Sequence, residues 1–287
     1  MTYRILYRGP LSSCNYACDY CPFAKTTNTM AELRHDDAQL NRFVDWIAAH
    51  HEHSFEILFT PWGEALIHPA YQRALIRLSH LAHVKKVAIQ TNLSGRLDWV
   101  SQGNKETLAL WTTWHPSQTP METFVRKCEI LDREGIRYSV GIVGLKENYA
   151  AMERMRESLS PDVYLWVNAF KDVPHYYAPA EADRITAIDP YFGLNNQFHA
   201  SEGQLCRAGE TAFSVDGDGN VTRCHFIKTR LANLYEDAFP HFLQPQPCTK
   251  NVCGCYIGYM HLKPLALEAI YGASVLERIP LRDANRN

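Results

Sequence analysis

Residues 3–21 read YRILYRGPLSSCNYACDYC and place three cysteines within eight residues. Residues 3–8 are typical of a short extended strand, and the loop after them carries three cysteines. Cys14, Cys18 and Cys21 are separated by three and by two residues, a CxxxCxxC pattern. In a reducing compartment, cysteines grouped in this way indicate metal binding or catalysis more often than disulfides. We therefore expect a metal site directly after the first strand.

Two kinds of metal site fit this triplet. Three thiolates can hold three irons of a cubane cluster and leave the fourth iron open to a substrate. A structural zinc ion needs four ligands, so zinc would require one more cysteine or histidine from elsewhere in the chain. The triplet by itself favours the cluster and leaves zinc open.

Strands and helices alternate on both sides of this loop. Helices are expected from a cap at Asp37 onward and at residues 71–83, 121–134 and 149–159. Six strands alternating with helices predict a parallel sheet, because parallel neighbours need a helical crossover. The active site is then expected at the carboxyl ends of the strands. The predicted strands are residues 3–8, 55–60, 87–92, 108–115, 136–143 and 163–170.

Composition excludes several classes of protein. The chain has 287 residues, a formal net charge of -2 and 46% hydrophobic residues, which excludes a disordered chain. The near-neutral charge predicts no nucleic-acid partner and no anionic membrane surface. No stretch approaches the roughly 20 apolar residues that span a bilayer, and residues 1–10 lack the apolar run of a signal peptide. We expect a cytoplasmic protein.

The second group of cysteines lies near the other end of the chain. Residues 171–204 are expected to form a linker with short helices. Two short strands, at 211–215 and 221–226, flank a turn signal at 216–220 and predict a β-hairpin. A helix is expected at 265–277. The cysteines around the hairpin, which alone would be typical of a four-cysteine zinc ribbon, are Cys206, Cys224, Cys248, Cys253 and Cys255.

The first cysteine group resembles the signature of the radical S-adenosylmethionine (SAM) enzymes, CxxxCxΦC, in which Φ is an aromatic residue, here Tyr20. Residues 60–66, TPWGEAL, are similar to the family's Gly-Gly-Glu motif, with Trp62 in place of the first glycine. The resemblance implies an α/β fold, a partial (β/α)6 TIM-type barrel, with a small C-terminal Cys-rich β-hairpin extension. It also implies that a 4Fe-4S cluster is held by the cysteine triplet and that Gly63 and Glu64 contact SAM.

Further SAM contacts are implied along the barrel. Residues 140–147, VGIVGLKE, resemble the family's GxIxGxxE stretch near the adenine, with Ile142, Gly144 and Glu147 in register and Val140 in place of the first glycine. Other polar residues end predicted strands, where barrel geometry turns them toward SAM or substrate, although such residues more often cap a strand. Those assigned to cofactor binding are Thr91, Asn92, Thr113 and Asn168.

The C-terminal cysteines resemble the SPASM/twitch extensions of some radical SAM enzymes. Cys206, Gly219 and Cys224 match the opening CX9-15GX4C, and residues 248–255 look like a shortened remainder. Five cysteines are too few for two fully ligated clusters, which need eight. The resemblance implies one auxiliary 4Fe-4S cluster, held by Cys206, Cys224 and two of the last three cysteines. The expected units are a barrel (1–170), a linker (171–204) and an auxiliary cluster unit with its helix (205–287).

The resemblance implies a reaction. SAM is cleaved reductively to a 5'-deoxyadenosyl radical, with electrons from a flavodoxin- or ferredoxin-type reductant, and the radical abstracts a hydrogen atom from a peptide or protein substrate. The auxiliary cluster would transfer an electron or ligate the substrate. The first strand begins at residue 3, so we expect the barrel itself or a partner to recognise a peptide. The alternatives are oxidation or rearrangement of a small molecule and, from another class, a non-catalytic zinc protein.

Overall fold

A nine-stranded sheet runs through the computed structural model, which describes residues 1–23 and 26–281. Six parallel strands and their crossovers form most of it, as predicted. Each predicted strand is present, with its ends shifted by at most a few residues. The six strands are β1 (Thr2–Arg8), β2 (Ser54–Phe59), β3 (Val84–Thr91), β4 (Leu108–Trp114), β5 (Arg137–Val143) and β6 (Leu165–Asn168).

The predicted hairpin is joined to the same sheet. β9 lies parallel to β1, β10 lies antiparallel to β9, and β11 completes that edge. The hairpin therefore continues the main sheet beyond β1, and the division of the chain into three units stays a prediction. The strands of this part are β7 (His199–Ala200), β8 (Leu205–Cys206), β9 (Ala212–Asp216), β10 (Asn220–Cys224), β11 (Ile227–Asn233), β12 (Gln246–Pro247) and β13 (Val252–Cys253), of which β8 pairs with β12 and β7 with β13.

The first helix begins earlier than predicted. Its N-cap is Thr29, whose side chain accepts a hydrogen bond from the backbone N–H of Glu32, while the Glu32 carboxylate accepts one from the Thr29 N–H. This capping box satisfies two N–H groups at the helix start, and Asp37 lies inside the helix, so the cap at Asp37 was wrong. The helices are α1 (Met30–Ala49), α2 (Pro69–Ser79), α3 (Met121–Glu134), α4 (Tyr149–Ser158), α5 (Pro179–Thr186), α6 (Phe192–Asn195), α7 (Tyr256–Tyr259) and α8 (Glu268–Tyr271).

The helix predicted at 265–277 is also wrong. Only α8 is α-helical there, and 3-10 turns lie on both sides of it, at Lys263–Leu265 and Gly272–Ser274. Ala266 and Gly272 have φ of 44° and 54°, outside the helical region, and therefore interrupt the helix. Residues 282–287, the end of the expected unit, lie outside the described residues.

The two faces of the sheet pack against different partners. On one face, strand residues such as Ile57 and Leu110 join a core with Phe43 of α1 and Leu131 of α3. On the other face, Leu6, Leu58, Ala88, Trp111 and Trp166 form a second core with residues of the C-terminal segment 256–276. That segment therefore fills the inner side of the sheet below the strand ends. None of the helices in the described ranges is long and apolar enough to cross a bilayer.

A buried carboxyl group of α1 predicts a pH dependence of stability. Asp36 accepts hydrogen bonds from the Leu11 N–H (3.3 Å) and the Tyr71 hydroxyl (3.1 Å), and burial raises its pKa from 3.8 to about 6. The folded protein then binds more protons than the unfolded chain between these values, so this group makes stability fall as pH rises from about 4 to about 6.

The variant Asp36→Asn keeps an acceptor oxygen and removes the titration. Relative to the unmodified protein, we expect its free energy of unfolding to gain roughly 1 to 3 kcal/mol between pH 4 and pH 7. Urea unfolding of both proteins across that range measures the difference. A difference that does not change with pH would contradict the prediction.

Candidate active site

A cavity of about 570 Å³ opens at the carboxyl ends of the parallel strands. This volume lies in the range that holds a cofactor or a small ligand. Its walls come from the loop after β1, the ends of β2 to β6 and the segment around Cys255. Of the residues predicted to bind the cluster or SAM, those lining the cavity are Cys14, Cys18, Tyr20, Cys21, Gly63, Glu64, Thr91, Asn92, Thr113 and Asn168.

The first cysteine group curls around one end of this cavity. The Cys21 N–H donates to the Cys18 carbonyl at 3.1 Å, and the Tyr16 N–H donates to Cys14 Sγ at 3.4 Å. The three thiols interact electrostatically, and burial raises the pKa of Cys14 and Cys18. Three thiols on one short loop, none of them in a disulfide and one with an N–H aimed at its sulfur, fit the donor set of a cluster with an open iron. The described ranges contain no trio of His, Cys, Asp or Glu placed around a single metal ion.

Tyr20 fastens this loop to the end of β4. Its hydroxyl lies 2.8 Å from His115 Nδ1, and the two rings stack with centroids 5.9 Å apart. Burial lowers the pKa of His115 to about 4, so the imidazole is neutral at pH 7. The aromatic residue of the CxxxCxΦC motif thus supports the loop through β4, which alternation of strands and helices could not reveal.

Gly63 brings the loop after β2 against the cysteine loop. A Cβ built on Gly63 would lie 1.8 Å from the carbonyl oxygen of Ser13, and the Glu64 N–H donates to that same oxygen at 3.1 Å. Only glycine permits this approach. Trp62 lies beside it, 39% exposed, with its ring under the Arg8 guanidinium at 4.0 Å.

Glu64 is buried, and the chain itself binds both of its oxygens. Oε1 accepts from the Leu66 N–H (3.0 Å) and the Thr91 hydroxyl (2.7 Å), and Oε2 accepts from the Asn92 N–H (2.5 Å). Burial raises the pKa of Glu64 to about 7, and these hydrogen bonds act in the opposite direction. The carboxyl group therefore joins the ends of β2 and β3 while it faces the cavity.

The remaining predicted contacts divide into two groups. Asn92 reaches the cysteine loop, since its amide donates to Asn15 Oδ1 at 3.1 Å, and Thr113 and Asn168 line the cavity. Ile142 and Gly144 do not line it. The Ile142 side chain packs into the helix-facing core because successive residues of a strand point to opposite faces. A Cβ on Gly144 would meet Tyr177 Oη at 2.5 Å, outside this cavity.

Four C-terminal thiols lie near one another and do not line the cavity. Every pair among Cys206, Cys224, Cys248 and Cys253 interacts electrostatically. Backbone N–H groups of Phe226 and Ile227 bond to the Cys224 sulfur, and burial raises the pKa of Cys253 to about 12. Four neighbouring thiols, none of them in a disulfide, supply the number and kind of ligands that a second cluster needs.

Cys255 lines the cavity, unlike these four, and its thiol also interacts electrostatically with Cys253. Its thiol interacts electrostatically with Lys171, Arg8 and Arg278. Sequence reasoning did not single out these three cations. Lys171 could have been noticed as a charged residue three positions after the end of β6, whereas nothing local marks Arg278, which the chain brings back from its far end.

No family model matches the chain, and no curated protein matches it. Solved structures do. The fold is similar to that of anSMEcpe, a radical SAM anaerobic sulfatase-maturating enzyme. With AdoMet and the Kp18Cys peptide bound, that protein is 14% identical over 85% of this chain and 81% of its own, with a TM-score of 0.58. With AdoMet and the Cp18Cys peptide, identity is 14% over 84% and 80%, with a TM-score of 0.57. This chain therefore has the fold of a radical SAM enzyme.

Proposed function

We propose that this protein is a radical SAM enzyme with an auxiliary iron-sulfur cluster. The observation that carries the proposal is the placement of the CxxxCxxC loop. Its three thiols face one cavity at the carboxyl ends of the parallel strands, in a fold similar to that of the AdoMet-bound anSMEcpe.

Cys14, Cys18 and Cys21 would hold the 4Fe-4S cluster and leave one iron open. When bound, the cluster supplies the electron that cleaves SAM to the 5'-deoxyadenosyl radical. The residues of the chain itself position the cluster and SAM and enclose the cavity. Tyr20 holds the cysteine loop against His115, with its hydroxyl 2.8 Å from Nδ1 of that residue. Trp111 and Trp166 form an apolar wall that keeps water out of the cavity.

The SAM contacts are proposed along the same wall. Glu64 takes three hydrogen bonds from the chain, and a carboxylate has about four acceptor positions, so one remains for the amino group of SAM. Gly63 leaves room for the close approach of the two loops. Thr91 and Asn92 hold Glu64 in place, and Thr113 and Asn168 are candidates for direct contact.

For the auxiliary cluster we propose Cys206, Cys224, Cys248 and Cys253 as ligands, and Cys255 as the cysteine that is spare. We expect Cys253→Ala to lose about four irons per chain because one thiolate of the set is removed. The matched variant Cys255→Ala, two residues away, should keep its iron. Iron and sulfide analysis of anaerobically reconstituted protein measures both. Equal loss from the two variants would contradict the assignment.

The substrate proposed is a peptide or protein side chain, and the reductant a flavodoxin- or ferredoxin-type protein. Support for a peptide comes from the anSMEcpe structures, which hold AdoMet together with a peptide. The radical would abstract a hydrogen atom from the substrate inside the cavity, and the auxiliary cluster would transfer an electron or ligate the substrate.

The test is the detection of 5'-deoxyadenosine and methionine by mass spectrometry after anaerobic reduction of the reconstituted protein with SAM. We expect both products in equal amounts. Protein that holds zinc and negligible iron, and that forms neither product, would overturn the proposal in favour of a non-catalytic zinc protein.

A further inference from the structure

One part of the cavity wall carries positive charge. Lys171 and Arg278 line it, and Arg8 packs on Trp62, another wall residue. All three interact electrostatically with the Cys255 thiol, so they surround one point of the wall. Arg278 is 1% exposed, and its guanidinium lies 4.5 Å from the ring centroids of both Trp166 and Tyr256.

These cations are held without a paired carboxylate. Within the described ranges, none of the three has a carboxylate oxygen within 4.0 Å. Arg8 Nε donates to the Thr60 carbonyl at 2.7 Å, and Lys171 Nζ donates to the carbonyls of Asn195 (2.8 Å), Gln197 (3.4 Å) and Gly254. Carbonyl groups orient a cation but do not neutralise it.

The missing carboxylate matters most for Arg278, because this residue is fully buried and its Nε has no hydrogen-bond partner. Asp189 interacts with it electrostatically, but the oxygens of that carboxylate accept from the Tyr164 hydroxyl and from the Val167 and Tyr191 N–H groups. The surroundings of Arg278, a hydrogen bond with Tyr271 included, favour its charged form, and no carboxylate of the described residues pairs with it, so an anionic ligand would complete the site.

Resting on the proposed function, we propose that this part of the cavity wall, defined by Arg8, Lys171, Arg278 and Cys255, binds an anionic oxygen group of the substrate, a carboxylate or a phosphate. The arrangement places the anion beside Cys255. The substrate would be oriented by its charge, with its reacting carbon toward SAM. A peptide would meet this requirement through an acidic side chain or its terminal carboxylate.

A competing explanation assigns the cations to the charge of the auxiliary cluster, since Lys171 also interacts with Cys253. The thiols proposed to hold the auxiliary cluster already have another cation beside them. Arg223 interacts electrostatically with Cys206 and Cys224, and it is held by the Pro247 and Gln246 carbonyls at 2.7 and 2.9 Å. The two explanations differ in one prediction. An added anion binds beside Cys255 only if the cations serve the substrate.

Cys255 is a reporter for this question because it is exposed toward the cavity. On anaerobically reconstituted protein, we would measure its alkylation by iodoacetate, which is anionic, and by iodoacetamide, which is neutral and nearly the same size. Mass spectrometry of the Cys255 peptide resolves it from the other cysteines. We expect the iodoacetate-to-iodoacetamide rate ratio to exceed that of a free model thiol by about tenfold, since a desolvated cationic wall concentrates anions.

Two variants and one control make the result specific. Lys171→Gln and Arg8→Gln should each lower the ratio, whereas Lys85→Gln, an exposed lysine at the opposite end of the sheet, should leave it unchanged. Inorganic phosphate and succinate, compared with chloride at equal ionic strength, should slow alkylation, and the stronger of the two identifies the kind of anion.

The inference would be overturned by a ratio equal to that of the model thiol, by a ratio unchanged by both variants, or by protection from neither anion. Alkylation of Cys255 only after the clusters are removed would make it a ligand and would also overturn it. None of these readouts needs SAM cleavage. Their failure therefore leaves the radical chemistry untouched, and a protein without iron would fail the proposed function separately.

Discussion

Replacing Cys14, Cys18 and Cys21 together with alanine is expected to abolish SAM cleavage and to lower iron from about eight to about four atoms per chain. The three thiols are the only cysteines of the described ranges that lie on the loop after β1, and they face the cavity. Without them the first cluster has no ligands, whereas the four thiols of the C-terminal group remain. Iron and sulfide analysis, together with 5'-deoxyadenosine formation, measures both effects.

Cys128→Ala is the matched control, because it removes a cysteine of α3 that is buried in the core between the sheet and the helices. It should keep all iron and retain SAM cleavage. Triple-variant protein that still formed 5'-deoxyadenosine would show that the radical chemistry does not depend on this loop.

Gly63→Ala is expected to disable the site although it adds only a methyl group. The new Cβ would lie 1.8 Å from the Ser13 carbonyl oxygen and 2.4 Å from the Ser13 carbonyl carbon, so the backbone of one of the two loops must move. Ser13 precedes Cys14, and the movement would therefore displace a cluster ligand. Overpacking of this kind costs roughly 1 to 3 kcal/mol in the free energy of unfolding, and we expect SAM binding to fall by at least about tenfold.

Equilibrium binding of SAM and urea unfolding measure the two effects. Gly193→Ala serves as the control, because nothing lies within 4 Å of a Cβ at that helical position. It should leave binding unchanged and not lower stability, since alanine favours helix over glycine. Normal SAM affinity in Gly63→Ala would contradict the role given to this close approach.

Local pattern predicted the elements well where neighbouring residues decide the structure. The helix expected at 121–134 is α3 with the same ends, and Gly135, with φ of 68°, ends it. The capping box of Thr29 and Glu32 was visible in the sequence and was overlooked in favour of Asp37. Apolar periodicity at 265–277 suggested a helix, but those side chains fill the inner side of the sheet in a broken conformation.

The sequence does not show which residues that are far apart in the chain lie close together in the fold. The choice of a spare cysteine among Cys248, Cys253 and Cys255 depends on the direction of each side chain, and only the fold shows that Cys255 lines the cavity and that the other two do not. The same applies to Arg8, Lys171 and Arg278, which come from the first strand, the end of the barrel and the C-terminal segment. Ile142 matched a motif, yet the alternation of β5 turns its side chain toward the helices.

The most direct test of the account is electron paramagnetic resonance of the anaerobically reduced protein, with and without SAM. We predict iron-sulfur signals in which one component changes when SAM is added, and in which that component is absent from the Cys14, Cys18 and Cys21 triple variant. Tightly held zinc with negligible iron, or iron-sulfur signals that SAM leaves unchanged, would contradict the account.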